Sequence, residues 1–289
     1  MATMSFFIAI LLSIAIELGY KPIENWRRFD WFDQLTDWIS HQFAARKIQQ
    51  GPLTIVAILL PVGLAVWLVS VLLGALAGIL AFIFAVFVLS MSLGPRDPIR
   101  LAQEYAHALQ QDDKETANHL AADFLGEDVQ DDTATNLHAI KRLVFVRLCT
   151  HILGVFFWFI FLGPVGAALF RASCLLKERF NREETGLAQS ANDLYDILMW
   201  VPARLAIFSF AIVGNFADVV HAVRHFADFW QRDSDSLLAD SGTGALHQPD
   251  DAPDSINIDA FVDAVLLAKR TVLAWITFFA LVVIVSWMA

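Results

Sequence analysis

Long uncharged stretches alternate with short polar segments along this chain, and the longest of them predicts a pair of membrane helices. Residues 53–90 carry no charged side chain, and their length is nearly twice the about 20 residues that one crossing needs. The pattern therefore predicts a tight hairpin of two membrane helices. We place its turn near Ser70–Gly74, with a kink of the first arm at Pro61 as the alternative.

Two more apolar stretches, residues 1–19 and 271–289, predict membrane helices near the two ends of the sequence. The first lacks the basic region and the cleavage site of a signal peptide, and its Glu17 is interpreted as a solvated interfacial carboxylate. The second follows Lys269 and Arg270, which are typical of a cytoplasmic interface. Together with the hairpin these helices give four crossings. We therefore expect both termini on the periplasmic side of a bacterial inner membrane.

Residues 20–50 combine basic and aromatic side chains closely enough to give a helix one wet face and one aromatic face. This composition predicts an interfacial helix on the cytoplasmic side of the membrane. The residues concerned are Lys21, Arg27, Arg28, Arg46 and Lys47, with Trp26, Phe29, Trp31, Phe32, Trp38 and Phe43.

The apolar stretches 151–170 and 198–213 have features that argue against two simple crossings. Gly163 and Pro164 interrupt the first, and the second contains Pro202 and Arg204. If both crossed the membrane, the basic stretch 171–182 between them would lie outside, against the positive-inside bias. We therefore expect broken, re-entrant or membrane-dipping helices that leave both ends in the cytoplasm.

Helical spacing in three polar segments predicts a cytoplasmic helical layer. Asp97 followed by Pro98 is typical of a helix start, and helical periods continue through residues 117–124 and 134–148. The acidic residues 127–132 between the last two lack the glycine-punctuated spacing of a calcium loop and are interpreted as a solvated face. Residues 216–230 predict an amphipathic helix whose apolar stripe is Phe216, Val219, Val220, Val223, Phe226 and Trp230.

Composition agrees with a membrane protein and narrows its partners. The 289 residues are 57% hydrophobic and 17% charged, which is too apolar for a soluble domain of this size. The net charge of −10 argues against nucleic acid and against anionic lipid surfaces, because both bind basic patches. Besides the lipid bilayer, we expect proteins or small molecules as partners. Cys149 and Cys174 lack metal-binding spacing and are interpreted as reduced thiols.

The sequence thus predicts an all-α polytopic membrane protein with about four membrane-spanning helices, broken or re-entrant helices and a cytoplasmic helical layer. We divide it into a membrane segment (1–92), a cytoplasmic and membrane-dipping helical domain (93–231), a flexible acidic linker (232–257) and a C-terminal membrane helix (258–289).

Charged side chains at the mouths of apolar segments form the first candidate site. Asn192, Asp193 and Asp196 share one face of a predicted helix that leads to Arg204, and Arg171 ends the segment GPVGAALFR. Because a guanidinium offers several donors to phosphate or carboxylate, we predict that these five residues bind an anionic ligand. The alternative is that Arg171 pairs with one of the aspartates and clamps two helices together.

A second, weaker candidate is a metal site on the amphipathic helix. His221 and His225 lie four residues apart, and Asp218 or Asp228 could complete the ligand set. No further metal-binding motif accompanies the pair, so we favour a solvated helix face. Phosphate-binding loops, nucleophile elbows and dinucleotide-binding fingerprints do not occur in the sequence.

The segment from Leu153 to Leu205 resembles the AmpE family of inner-membrane proteins, which is distantly related to the CobD/CbiB adenosylcobinamide-phosphate synthases. A helix break with small residues is followed by an aspartate and a Trp-x-Pro-x-Arg run. The shared pattern is carried by Gly163, Gly166, Ala167, Arg171, Asp196, Trp200, Pro202 and Arg204, with Pro164 in the same break.

The resemblance to AmpE implies an accessory membrane protein linked to peptidoglycan recycling and β-lactamase induction. Its implied partner is the amidase AmpD, and its implied ligand is a muropeptide-type or other anionic small molecule. We favour a non-catalytic signalling modulator in which Arg171, Asp196 and Arg204 hold the anion at the cytoplasmic interface.

The alternative is an amide-forming synthase of the cobinamide-phosphate type. In that case Asp193 and Asp196 would bind Mg²⁺, and the arginines would bind the phosphates of a nucleotide. The stretches that the synthases share read GEDVQDDT, LVFVRLCTHIL and LGPRDPIRL here, a departure that favours the modulator. A transporter is disfavoured, because few crossings remain to enclose a path and no internal repeat is visible.

Overall fold

A computed structural model gives the fold of the chain. Helices make up nearly all regular structure, and no strand occurs among the residues that the structure describes. These are residues 8–13, 29–45, 51–94, 97–180, 185–222, 229–230, 232–246 and 257–288.

Eleven labelled helices lie within these ranges, accompanied by a short 3₁₀ turn at Gly126–Asp128 and a π-helical turn at Cys149–Leu153. In chain order the helices are α1 (Asp30–Ala45), α2 (Pro52–Leu76), α3 (Gly78–Ser92), α4 (Pro98–Gln110), α5 (Lys114–Leu125), α6 (Thr133–Leu148), α7 (Gly154–Phe180), α8 (Gly186–Val213), α9 (Phe216–Ala222), α10 (Ser234–Gly244) and α11 (Ile258–Met288).

The predicted membrane hairpin is present as α2 and α3. The break between them is Ala77, whose extended backbone (φ −162°, ψ 133°) lies just beyond the predicted turn. Val66 and Val88, each eleven positions from Ala77, line one cavity, as expected for antiparallel arms. Pro61 lies inside the continuous helix α2. The turn was misplaced because the chain reverses on one extended residue and Gly78 rather than on a polar loop.

The chain divides into two compact units that are discontinuous in sequence. The first comprises residues 1–95, 150–199 and 282–289, and the second comprises residues 96–149 and 200–281. In the first unit a buried apolar cluster joins α1, α2, α7 and α8. Its members include Phe32, Ile39, Ile58, Val62, Leu176 and Ala191.

Helix α1 lies where the interfacial helix was predicted, but its aromatic residues do not share one face. Phe32 is buried, whereas Trp31 and Trp38 are exposed. Arg179 on α7 fixes this helix through hydrogen bonds of 2.5 Å each, donated by Nη1 to Asp33 and by Nη2 to Asp37. The basic residues predicted to flank it, Lys21, Arg27, Arg28, Arg46 and Lys47, lie outside the described residues.

The second unit contains the predicted polar helices. Asp97 caps α4, since its Oδ1 accepts a hydrogen bond of 2.9 Å from the Ile99 amide. Tyr105 on the same helix packs edge-on against Phe261, with ring centroids 5.6 Å apart, and burial raises its pKa to about 12. Its phenol therefore stays neutral at physiological pH.

The acidic loop before α6 has a structural role. Both carboxylate oxygens of Asp132 accept hydrogen bonds from the first turn of α6, and the Thr135 hydroxyl donates a third. The side-chain hydrogen bond with Thr135 is the main cause of the lowered pKa of Asp132. Asp113 caps α5 in a similar way, and its hydrogen bonds with Thr116 lower its pKa. At least these two acids therefore stabilise helix starts.

The predicted flexible linker is wrong over residues 234–244, which form helix α10. Asp233 caps this helix by accepting a hydrogen bond of 2.9 Å from the Ser236 amide. Leu237 and Leu238 are buried, and α10 packs against α6, where a Cβ on Gly242 would lie 2.3 Å from the Phe145 ring. The two buried leucines and the contact of Gly242 with the Phe145 ring hold this segment in place, although its composition is typical of a linker. Residues 247–256 lie outside the described residues.

The predicted amphipathic helix is described over α9 only in part. Val219 is buried, but Phe216 and Val220 of the predicted apolar stripe are exposed. Val223 and Phe226 lie outside the described residues. Near the N-terminus, residues 8–13 are helical as predicted, and the remainder of that stretch, including Glu17, also lies outside.

The chain is an all-α polytopic membrane protein. Within the part of the chain that the structure describes, four helical segments are long and apolar enough to cross a membrane, and α3 is a shorter apolar helix. Residues 151–170 and 198–213 belong to two of these segments, so they have the length and composition of membrane spans, and their broken or re-entrant course stays a prediction. Cys149 and Cys174 are buried, and the structure shows no disulfide between them. The four segments are Pro52–Leu76, Thr133–Phe180, Gly186–Val213 and Ile258–Val282.

Candidate functional site: a buried arginine beside an apolar cavity

Arg171 is a buried cation in the first unit. Only 3% of its surface is exposed, and its Nε and Nη1 have no hydrogen-bond partner among the described residues. The carboxylate of Glu178 lies 3.9 Å from Nη1, which is too long for a hydrogen bond. The Phe29 ring lies 5.6 Å from the guanidinium carbon and gives a weak cation–π contact. Unused donors at such a buried group are uncommon in folded proteins.

The predicted break in α7 sets the position of Arg171. Gly163 has φ 63° and ψ −151°, a backbone conformation that residues other than glycine rarely adopt. A Cβ on Gly166 would lie 2.3 Å from the Trp158 carbonyl oxygen. In a straight helix these residues would be about 12 Å apart. The second half of α7 therefore folds back against the first, as predicted for a broken helix, and carries Arg171 two turns beyond the break.

Arg171 is one of the residues that line a cavity of about 340 Å³ formed by α1, α2, α3 and α7. Ser92 is the other polar residue of the lining, and its hydroxyl donates a hydrogen bond of 2.8 Å to the Val88 carbonyl. The remaining lining residues are apolar and include Phe29, Trp31, Phe32, Phe87, Met91 and Leu175. This volume is within the range of small-molecule sites.

The predicted partners of Arg171 on α8 do not pair with it. Asp193 is exposed, and Asn192 and Asp196 are half-buried. The ion-pair partner that the structure gives Arg171 is Glu178, so the helix clamp that we weighed as an alternative is not formed. Ligand-binding roles for the three α8 residues stay predictions.

Arg204 lies in the second unit and has a very different environment. Its Nε donates to the Phe229 carbonyl at 3.2 Å, and its Nη2 donates to the Arg232 carbonyl at 3.1 Å. Its Nη1 donates to the Ser234 hydroxyl at 2.6 Å and to the Trp200 carbonyl at 3.4 Å. Although Arg204 is as buried as Arg171, at 4% exposure, most of its donors are used. This geometry favours an anchor for the start of α10.

The other motif residues support these two arginines. Ala167 is fully buried near the break, and Pro164 follows Gly163 directly. Trp200 places its ring 4.9 Å from the Arg204 guanidinium carbon and 5.3 Å from the Trp230 ring. Pro202 lies inside α8, which runs unbroken past it. The predicted break therefore concerns α7 and not α8.

The weak metal candidate gains no support. His221 is exposed on α9, and His225 and Asp228 lie outside the described residues. Among the residues that the structure describes, no group of three or more His, Cys, Asp or Glu side chains is placed to hold a metal ion.

Sequence reasoning missed the apolar wall of the cavity. The sequence predicts an interfacial face for Phe29, Trp31 and Phe32, and it places Met91 and Ser92 in the membrane segment 1–92, just after the hairpin. Only the packing of α1 and the hairpin onto α7 brings them to Arg171. The group of aromatic residues before the uncharged hairpin could have indicated the cavity wall, but such a group is equally typical of a membrane interface.

Comparisons with known proteins agree with part of the resemblance. The chain is 27% identical over 213 residues to "Cobalamin biosynthesis protein CobD" of Stutzerimonas stutzeri, covering 72% of this chain and 66% of that protein. It is 25% identical over 201 residues to the protein of the same name from Chromobacterium violaceum, covering 68% and 63%. The matches thus span just under two thirds of these curated relatives.

No solved structure matches the chain. The family model described as CobD/Cbib protein matches residues 7–237, which is most of the chain and includes Arg171, Arg204 and the segment between them. The chain therefore belongs to the CobD/CbiB family.

Proposed function

We propose that this chain takes part in cobalamin biosynthesis at the membrane and holds an anionic group of its substrate on Arg171. Family membership and the names of the two relatives support the pathway. The observation that carries the site is the buried guanidinium, whose Nε and Nη1 donors are unused beside a cavity. The proposed location is the bacterial inner membrane, with both termini in the periplasm.

The energetics of burial support this role for Arg171. Removing a charged group from water costs several kcal/mol unless a counter-charge and hydrogen bonds replace the solvent. The contact with the Glu178 carboxylate, at 3.9 Å, replaces little of the lost solvation of the Arg171 guanidinium. A phosphate or carboxylate in the cavity would accept charge-assisted hydrogen bonds from the unused donors. Binding an anion would therefore offset the desolvation free energy of the Arg171 guanidinium, which is unfavourable in the free protein.

Amide formation is the reaction class that the relationship to the synthases implies, and in it Arg171 would bind and orient the substrate. Asp193 is exposed on α8 and Asp196 is half-buried, and Mg²⁺ binding by these two carboxylates stays a prediction. No metal-holding group occurs among the described residues. We therefore assign the chain's contribution to Arg171 and derive no step through a metal ion or nucleotide.

Deletion of the gene in its host, followed by measurement of cobalamin in a cobalamin-free medium, tests the proposal. We expect cobalamin to fall in the deletion strain and to recover with the wild-type gene. Arg171→Gln should fail to restore it, whereas Arg100→Gln, at a partly exposed residue of α4 outside the cavity, should restore it fully. Unchanged cobalamin in the deletion strain would contradict the proposed pathway.

A signalling modulator of the AmpE type is the second candidate, because the stretch before α6 departs from the motif that the synthases share. This loop is GEDVQDDT, where the synthases share a different motif, and Asp132 uses both of its oxygens to cap α6. The same deletion strain distinguishes the two candidates. Altered β-lactamase induction with unchanged cobalamin would favour a modulator that acts with AmpD or a muropeptide-type ligand.

A further inference from the structure

We infer that the cavity beside Arg171 accepts an amphiphilic anion, in which a phosphate or carboxylate head is joined to an apolar chain. This inference rests on the proposed function in one respect, the assignment of Arg171 as the anion-binding residue. It adds the chemical class of the ligand. The two parts of the ligand follow from the two kinds of surface that line the cavity.

The lining provides very little for a strongly hydrated ligand. Arg171 and Ser92 are its polar residues, and the Ser92 hydroxyl already donates to a backbone carbonyl. Inorganic phosphate or a polyphosphate would lose its hydration shell on entry and regain only the Arg171 donors. An anion with one apolar arm replaces the missing water contacts by burying that arm against Phe32, Val62 and Met91. The apolar lining thus selects against small free anions.

The edge of the cavity faces apolar surroundings. Trp31 and Phe87 line it, yet they are 53% and 51% exposed, so each side chain lies partly inside and partly on the outer surface. Phe87 belongs to the uncharged hairpin, whose outward residues, such as Leu60 and Leu64, are also exposed. In a polytopic membrane protein such an apolar surface contacts lipid chains. A ligand with an apolar chain can therefore enter sideways from the bilayer.

Titration of the full-length protein in phosphatidylcholine nanodiscs with octyl phosphate, followed by calorimetry, tests this inference. We expect saturable binding of octyl phosphate and at least about tenfold weaker binding of both inorganic phosphate and octanol, because each lacks one half of the recognised chemistry. Arg171→Gln should weaken octyl phosphate binding by about tenfold or more. Arg100→Gln should leave it unchanged.

A second variant keeps the test independent of the folding of the Arg171 variant. Phe87→Ala shortens a half-exposed side chain at the cavity edge and should weaken octyl phosphate binding without changing the response to inorganic phosphate. Equal binding of octyl phosphate and inorganic phosphate would overturn the inference. So would unchanged octyl phosphate binding in both the Arg171 and the Phe87 variants.

The lipid composition of the nanodisc distinguishes two sources of the ligand. If phosphatidic acid in the bilayer competes with octyl phosphate, the head group belongs to a membrane lipid. If it does not compete while octyl phosphate still binds, the ligand is a free amphiphilic metabolite; both results support the inference. Loss of cobalamin in the deletion strain together with absent octyl phosphate binding would refute the inference and leave the proposed function standing.

Discussion

Two buried arginines of this chain, one in each compact unit, have opposite environments. Arg204 donates hydrogen bonds to three backbone carbonyls and a serine hydroxyl, and the Trp200 ring covers its guanidinium. Arg171 is equally buried, yet its Nε and Nη1 have no hydrogen-bond partner among the described residues. Burial alone therefore does not distinguish a structural arginine from a candidate binding residue, whereas hydrogen-bond saturation does.

The difference indicates where free energy is available for binding. A structural arginine already donates its N–H groups to backbone carbonyls. A ligand could bind to it only by displacing those carbonyls. An arginine with unused donors makes the free protein less stable than it could be, and a bound anion removes that cost. Functional sites commonly reduce stability in this way. The predictions below test the contrast, from the largest expected effect to the smallest.

Arg204→Met should destabilise the protein by about 3–5 kcal/mol, because it leaves the carbonyls of Phe229 and Arg232 without their donor. Equilibrium unfolding in mixed micelles measures the change. Arg100→Met, at a partly exposed site where the side chain pairs with Glu104 one helical turn away, serves as the control and should remain within about 0.5 kcal/mol of wild type. If the Arg204 variant were as stable as wild type, the assignment of Arg204 as a structural anchor would be contradicted.

Gly166→Ala should cost about 1–3 kcal/mol, because the new Cβ would lie 2.3 Å from the Trp158 carbonyl oxygen. The same unfolding measurement applies, and octyl phosphate affinity should fall because the half-helix that carries Arg171 must shift. Gly78→Ala is the matched control, since nothing lies within 4 Å of its added Cβ. If the two variants behaved alike, the tight fold-back of α7 would be contradicted.

Arg171→Met should raise the free energy of unfolding by about 1–2 kcal/mol in the absence of ligand, because it replaces a poorly compensated buried charge with an apolar side chain. The variant should also lose octyl phosphate binding. Gain of stability with loss of binding is the opposite of the result expected at Arg204. A loss of stability comparable to that of the Arg204 variant would mean that Arg171, too, is an anchor.

Asp132→Asn should have the smallest effect and should depend on pH. Its lowered folded-state pKa means that the carboxylate stabilises the fold above its unfolded-state pKa, and that this contribution is lost as the pH falls through the folded-state pKa. Thermal unfolding at neutral and acidic pH should therefore show a slightly smaller acid-side decrease in the variant than in wild type. An unchanged acid-side decrease would indicate that other carboxylates dominate the pH dependence.

Much of the fold could be predicted because apolar periodicity and helix breakers act locally. The hairpin α2–α3, the cap at Asp97 and the break at Gly163 depend on residues close in sequence. Helix α10 escaped prediction because its order depends on contact with Phe145, which is distant in sequence.

The sequence by itself determined the helical class, the membrane character and the identity of both arginines as unusual cations. It could not separate their roles, because each lies near an apolar segment in the same motif. Tertiary structure decided that carbonyls of Phe229 and Arg232 meet Arg204, whereas apolar residues of α1, α2 and α3 meet Arg171. The physical reason is that the cost of a buried charge depends on the hydrogen-bond partners folding brings to it, and those partners lie far away along the chain.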